Sequence, residues 1–132
     1  MALKFQPKQG SVVMCDFTGY VIPEMVKVRP VVVLSKHPYN NQLVTVVPLS
    51  TTEPLPHRAY HHKIDKNPLP DKTGTVCWAK CDMIATVSLS RLDRYKLAQR
   101  LPDGSRQYVI PVVDAADFNE IQKCVKSALG LT

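Results

Sequence analysis

The sequence predicts a small, mainly β protein, a β-barrel closed by a C-terminal helix. Three observations carry this. Eleven prolines in 132 residues interrupt helices and sit at strand starts, favouring short strands joined by loops. From residue 11 onward the apolar residues either alternate or run in short unbroken blocks, the two patterns of strands. Only residues 114–130 repeat their apolar positions at helical spacing. The length suits one domain, 1–132, with a real core, and is too short for two comfortable ones.

The elements follow in order. "SVVMCDF", residues 11–17, places Val13, Cys15 and Phe17 on one face and reads as the first strand. Residues 18–30 contain Gly19, Pro23 and Pro30 and form a loop of unusual length, the kind that more often carries function than merely connects. "VVVLS" follows as a fully buried second strand. "HPYNNQ" offers a turn, and "LVTVVPLST", residues 43–51, is the third strand, with Pro48 pointing to an edge or a bulge. Residues 52–73 are rich in proline around a basic segment, "HRAYHHKIDK", whose alternating Tyr60, His62 and Ile64 suggest a short exposed strand. "TVCWAKCDMIATVSL" splits into two strands around Lys80–Asp82. Residues 91–106 are charged and end in a turn built on Asp103-Gly104, and "YVIPVV" is a last short strand. In the final helix Asp114 caps the start and Asp117 complements the positive end of the dipole. Phe118, Ile121, Val125 and Leu129 share its apolar face, and Gly130 ends it.

The N-terminus lacks an apolar stretch of signal-peptide length and no run approaches a membrane span, so a cytoplasmic protein with reduced thiols is expected. Cys15 and Cys124 read as small buried residues. Cys77 and Cys81, spaced C-x3-C, have no second pair to complete a tetrahedral zinc site, so no metal and no cofactor are expected. Trp78 and Met83 read as core. The net charge of +6 favours a polyanionic partner, either nucleic acid or an acidic protein.

The most informative stretch is "EMVKVRPVVVLS", residues 24–35. A strand this apolar is entered through Glu24, Lys27, Arg29 and Pro30. Taken alone, Arg29 and Glu24 can pair as a surface salt bridge of about 0–1 kcal/mol, and Ser50 can be a simple strand-end turn residue. An alternative is a catalytic arrangement. The run "GSVVMCDF…PEMVKVRPVVVLS…YNN…VTVVPLSTT", with the later "GTVCWAKCDMIATVSLSRLD" and the helix ending "ALG", resembles the MazF/PemK toxins of bacterial toxin–antitoxin modules over nearly the whole chain.

That resemblance implies an SH3-like barrel of the MazF/CcdB toxin type, a homodimer, and a metal-independent endoribonuclease acting on single-stranded RNA. It also implies an acidic antitoxin as partner, with DNA contact through the antitoxin complex. Carried over residue by residue, it puts the catalytic pair at Arg29 and Ser50, with Glu24 in the loop before them. The chemistry fits that placement. RNA brings its own nucleophile, the 2′-hydroxyl, so the protein needs a base and charge stabilisation for the phosphorane. Arg29 supplies a planar fork matched to phosphate oxygens, Ser50 a neutral hydrogen bond, and Glu24 the base, with a histidine as the other candidate. The expected RNA-contacting set is Lys27, Thr51, His57, Arg58, His61, His62, Lys63, Lys80 and Arg91. In "HRAYHH" the rings would stack on bases while cations meet phosphates.

The sequence departs from the resemblance in two places. "MVKV" stands where a glycine-containing loop is commoner, and the 52–73 connection is longer and richer in proline. A CcdB-like gyrase poison shares the expected fold, but that type resembles a protein with a tryptophan near its C-terminus, whereas this chain ends "SALGLT" with Trp78 remote. A third reading is an RNA-binding relative without activity, which a cleavage assay separates.

Overall fold

Val31, Val32 and Val33 are all fully buried, which an unbroken apolar run requires of a central strand with both faces covered. They lie in β2 (Val28–Lys36), which pairs antiparallel with β1 (Val12–Asp16) on one side and β3 (Leu43–Ser50) on the other. The computed structural model describes residues 2–131. The first half of β3 also pairs with β6 (Ala85–Ser88), and its end with β5 (Trp78–Lys80). β5 in turn carries β4 (His61–Lys63), and β7 (Leu92–Asp93) pairs with β1.

The resulting seven-stranded sheet has the order β4-β5-β3-β2-β1-β7, with β6 beside β3. β8 (Tyr95–Lys96) and β9 (Tyr108–Val109) form a separate antiparallel pair. The sheet is open: no ladder joins β4 to β7 among the described residues. The mainly β class with one helix matches the expectation from the sequence, while closure into a barrel is not made by strand pairing.

Strand alternation sorts the interior into two cores, one on each face. Val12, Val32, Val47, Leu49 and Ala79 point to the face covered by α1 (Ala115–Leu129), meeting Ile121 and Val125. Val13, Cys15, Phe17, Val31, Val33 and Val46 point to the other, where Leu89, Leu92 and the loop residues Tyr20 and Met25 pack. The helix has the expected ends. Asp114 accepts the amide of Ala116, and Gly130 stops the helix with φ 70°, a left-handed conformation suited to glycine. Leu129, expected on the apolar face, is instead exposed at the helix's last residue.

Two prolines depart from expectation. β2 begins at Val28, so Arg29 and Pro30 lie inside the strand opposite Cys15 and Met14, not in the loop before it. The ladder to β3 starts only at Val31, so the N–H that Pro30 lacks is not required on that side. Pro48 sits in a strand paired on both sides, not at an edge. It falls where the outer partner changes from β6 (last paired at Val46) to β5 (first paired at Leu49), a natural gap in that ladder. The irregularity in β2 lies between Val33 and Ser35, away from Pro48's partner Val31.

Asp117, in the first turn of the helix as expected, is buried. Its carboxylate accepts the amides of Asp65 and Lys66 at 2.9 and 3.0 Å and lies 2.9 Å from His62 Nε2. Burial pushes its pKa up, but these hydrogen bonds outweigh burial and hold the carboxyl below its ordinary value. The helix is thereby locked to β4 and the segment after it.

Candidate active site

Sheet register brings the proposed pair together. Val31 faces Pro48 across β2 and β3. Two residues back along β2 is Arg29, and two residues on along β3 is Ser50, so they occupy neighbouring positions on one face. The row continues outward, because Cys15 faces Arg29, Trp78 faces Ser50 and Lys63 faces Trp78. Cys15, Arg29, Ser50, Trp78 and Lys63 thus fall in one row across five strands; the step from Arg29 to Ser50 lies just beyond the last β2–β3 pair, and the other three steps are paired positions. All lie on the face opposite the helix. His61 and Lys80, themselves paired, stand one pleat along on the same face.

Arg29 is half-buried. Its Nε is enclosed and has no hydrogen-bond partner among the described residues. A buried donor left unmade costs roughly 1–3 kcal/mol, and more when charged. The salt bridge to Glu24 that spacing allows is not formed among the described residues. Instead the Glu24 carboxylate accepts the Val21 amide at 2.6 Å while the Glu24 amide donates to the Val21 carbonyl at 2.7 Å, closing a turn of the 17–27 loop on itself.

Ser50 is buried, and its Oγ accepts the amide of Thr52 at 3.0 Å. That bond uses an oxygen lone pair and leaves the hydroxyl hydrogen to donate elsewhere. Cys15, next in the row, is no nucleophile: burial pushes its thiol up to about 12. Burial likewise raises Cys77 to about 11 and Cys81 still further. Among the described residues no three His, Cys, Asp or Glu side chains are grouped to hold a metal.

The loop from Phe17 to Lys27 crosses this face. Phe17, Tyr20, Glu24 and Met25 share a cavity of about 280 Å³ with Asp82 and Met83. His61 faces the same region with its Nε2 4.0 Å from Asp82 Oδ1, while its Nδ1 accepts the Arg58 amide at 3.1 Å. The Nδ1 acceptor role sets the proton of the neutral ring on Nε2.

The remaining expected contacts divide. Lys63, Lys80 and His61 join Arg29 and Ser50 on one face. His57 is exposed, with its ring 4.8 Å from that of Trp78 and its Nε2 3.0 Å from Glu53 Oε1. Thr51, Arg58 and Lys27 are exposed around the rim. His62 points the other way and is committed to Asp117, because adjacent strand residues face opposite sides. Arg91 donates from Nη1 to the carbonyls of Asp16 and Thr18, both at 2.8 Å, and its guanidinium lies 4.9 Å above the Tyr20 ring. It fastens the root of the loop.

Sequence reasoning missed Trp78 and Asp82 as members of this face. The alternation of Cys77 and Ala79 against Trp78 and Lys80 carried the signal for Trp78. Its pairing with Ser50 was not readable. A second cavity, of about 540 Å³, opens on the opposite face of β1 and β2, lined by Met14, Asp16, Val28, Arg91, Arg94 and Tyr108. Arg29 and Ser50 do not line it.

The fold is an open antiparallel sheet backed by one C-terminal helix, with an arginine and a serine on one face at the ends of its central strands. The chain belongs to the family described as PemK-like, MazF-like toxin of type II toxin–antitoxin system, whose model matches residues 8–129. The uncharacterized protein YifN of Escherichia coli (strain K12) is 35% identical over 115 residues, covering 71% of this chain and 76% of that protein. Among solved structures, an endoribonuclease in complex with its cognate antitoxin from Mycobacterial species has a TM-score of 0.65 at 22% identity, covering 96% of this chain and 98% of that one. MazF (Form-I) from Deinococcus radiodurans has a TM-score of 0.65 at 17% identity, covering 94% and 96%. At these identities the likeness is one of fold. No helix among the described residues is long and apolar enough to cross a membrane.

Proposed function

We propose that this protein is the toxin of a type II toxin–antitoxin pair, and that it cleaves single-stranded RNA at the Arg29–Ser50 face without a metal. One observation carries the reading. The half-buried Arg29 guanidinium, whose Nε has no hydrogen-bond partner among the described residues, shares a face with the Ser50 hydroxyl, which keeps a hydrogen to donate, at the end of a rigid central strand. Two donors so placed suit the non-bridging oxygens of a phosphodiester.

The 2′-hydroxyl attacks the adjacent phosphorus as its proton passes to a base. The P–O5′ bond breaks, the 5′-oxygen takes up a proton from water, and a 2′,3′-cyclic phosphate and a 5′-hydroxyl remain. Arg29 clamps the phosphorane charge and does not donate a proton, since guanidinium pKa values exceed about 12. Ser50 adds a neutral hydrogen bond. Glu24 is assigned as the base: the Val21 amide occupies one oxygen, and a carboxylate keeps further lone pairs. Lys63, Lys80 and His61 extend the donor surface along the strand that RNA follows, and exposed Lys27, Thr51 and Arg58 meet it at the rim. The duplex is excluded because its sugars are locked out of in-line geometry. Cleavage of single-stranded but not duplex RNA by the wild-type protein, and loss of that cleavage in Arg29→Ala, tests the reading.

Two copies related by a two-fold axis would double a short basic groove, and we assign the working form as a homodimer. An acidic, disorder-prone antitoxin segment suits the same cations.

A further inference from the structure

Trp78 pairs with Ser50 in register, so its indole stands one strand beyond the proposed phosphate site. It is 6% exposed, as core packing would make it, yet it faces away from the helix. His57, on the exposed 51–60 loop, packs against it: the two ring centroids are 4.8 Å apart, tilted by 58°. The His57 side chain is itself about half exposed, 51%. Glu53, four residues earlier, holds its Nε2 at 3.0 Å and fixes where the ring sits. Beyond Trp78 in the same row comes Lys63. Reading outward from the central strands, the order is a phosphate clamp (Arg29 and Ser50), an aromatic pair (Trp78 and His57) and a cation (Lys63). A single-stranded polynucleotide carries an unpaired base on the sugar beside each phosphate, so an aromatic pair next to a phosphate clamp suits it.

We propose that the His57 ring, backed by Trp78, is the stacking platform for an unpaired base adjoining the phosphate held by Arg29 and Ser50. The inference rests on the ribonuclease reading for the identity of that phosphate. A π-platform accepts any base, so this site sets affinity and the register of the strand, and leaves the choice of base to polar groups around it. A duplex base is already stacked and cannot use it, which gives the protein a second reason to select single strands. His57 and Trp78 are binding residues here: neither is placed to touch the reacting atoms.

The chain has one tryptophan, so its fluorescence reports this site alone. The experiment titrates the wild-type protein with a mixed-sequence 2′-O-methyl oligonucleotide, which lacks the nucleophilic hydroxyl, and with an abasic oligomer of the same length. Trp78 emission is followed in both titrations. The base-bearing strand should change the emission and the abasic strand should not. His57→Ala should weaken binding and raise KM on cleavable RNA by roughly tenfold, with kcat little changed, and His57→Phe should restore most of the loss. An emission change of equal size with the abasic strand, or none with either, overturns the platform. So does a His57→Ala protein with unaltered affinity. Binding and fluorescence do not depend on cleavage. A protein that stacks bases and never cuts RNA therefore refutes the ribonuclease reading and spares the platform, whereas one that cuts with Trp78 silent does the reverse.

Discussion

Arg29 and Ser50 lie on one face of the sheet, each two residues beyond the Val31–Pro48 pairing that sets the register of their strands. Neither residue needs a flexible loop to reach the other. A guanidinium mounted on a strand that continues into the fully buried Val31–Val33 run is held by the core itself, and such support is what keeps a transition-state donor in place. The unpartnered Nε shows that its hydrogen-bonding capacity is not consumed within the described fold.

Substitutions at this pair should separate in rank. Arg29→Ala should lower the cleavage rate by about 10²–10³, the size expected on removing a donor to developing charge. Arg29→Lys should recover little, because a point charge does not reproduce a two-pronged contact. Ser50→Ala should cost less than Arg29→Ala, and Ser50→Thr should be nearly silent. Single-turnover cleavage of a labelled RNA measures all four.

Glu24→Gln tests the base. If the carboxylate accepts the 2′-proton, the variant should lose about 10²-fold or more in rate, and the acid limb of the pH–rate profile should flatten. Retention of both rate and acid limb would leave Glu24 as the residue that closes the loop on Val21. It would pass the role to His61, which stands on the Arg29 face near Asp82.

Asp117 makes a prediction about stability that does not touch activity. Its folded pKa lies below the ordinary 3.8, so its contribution is fully present above about that pH and is lost as pH falls through the lower, folded value. Asp117→Asn should destabilise by on the order of 3 kcal/mol near neutrality, where His62 and two amides lose a charged acceptor. The gap between wild type and variant in urea melts should narrow as pH drops below about 4. A gap that is constant with pH would mean that the charge itself contributes nothing.

Assembly is tested by light scattering at micromolar concentration, where a dimer mass is expected and a monomer would contradict the proposed groove. A cognate acidic antitoxin at saturation should suppress RNA cleavage, with binding that weakens as salt rises.

Much of the fold was legible because strand and helix periods are written in the order of apolar residues. The burial of Val31–Val33, the cap at Asp114 and the stop at Gly130 follow from local rules alone. Pro30 and Pro48 misled because proline constrains only one side of a ladder, and which side is free depends on partners distant in sequence. The same limit applied to the site. Arg29, Ser50 and Glu24 were marked by residue type and resemblance. That His62 turns to the helix while His61 faces Asp82 is a matter of strand parity, which "HRAYHH" fixes only once one of the two is placed. Trp78 looked like core and is buried, yet the sheet sets it beside Ser50.

The most direct test of the central claim is end-group analysis of single-stranded RNA incubated with the purified protein in excess EDTA, with Arg29→Ala run in parallel. Cleavage at the Arg29–Ser50 face predicts fragments bearing 2′,3′-cyclic phosphate and 5′-hydroxyl ends from the wild type. It predicts at least a hundredfold fewer from the variant. Cleavage that appears only with added Mg²⁺ or Mn²⁺, or equal fragment yields from the two proteins, would contradict it.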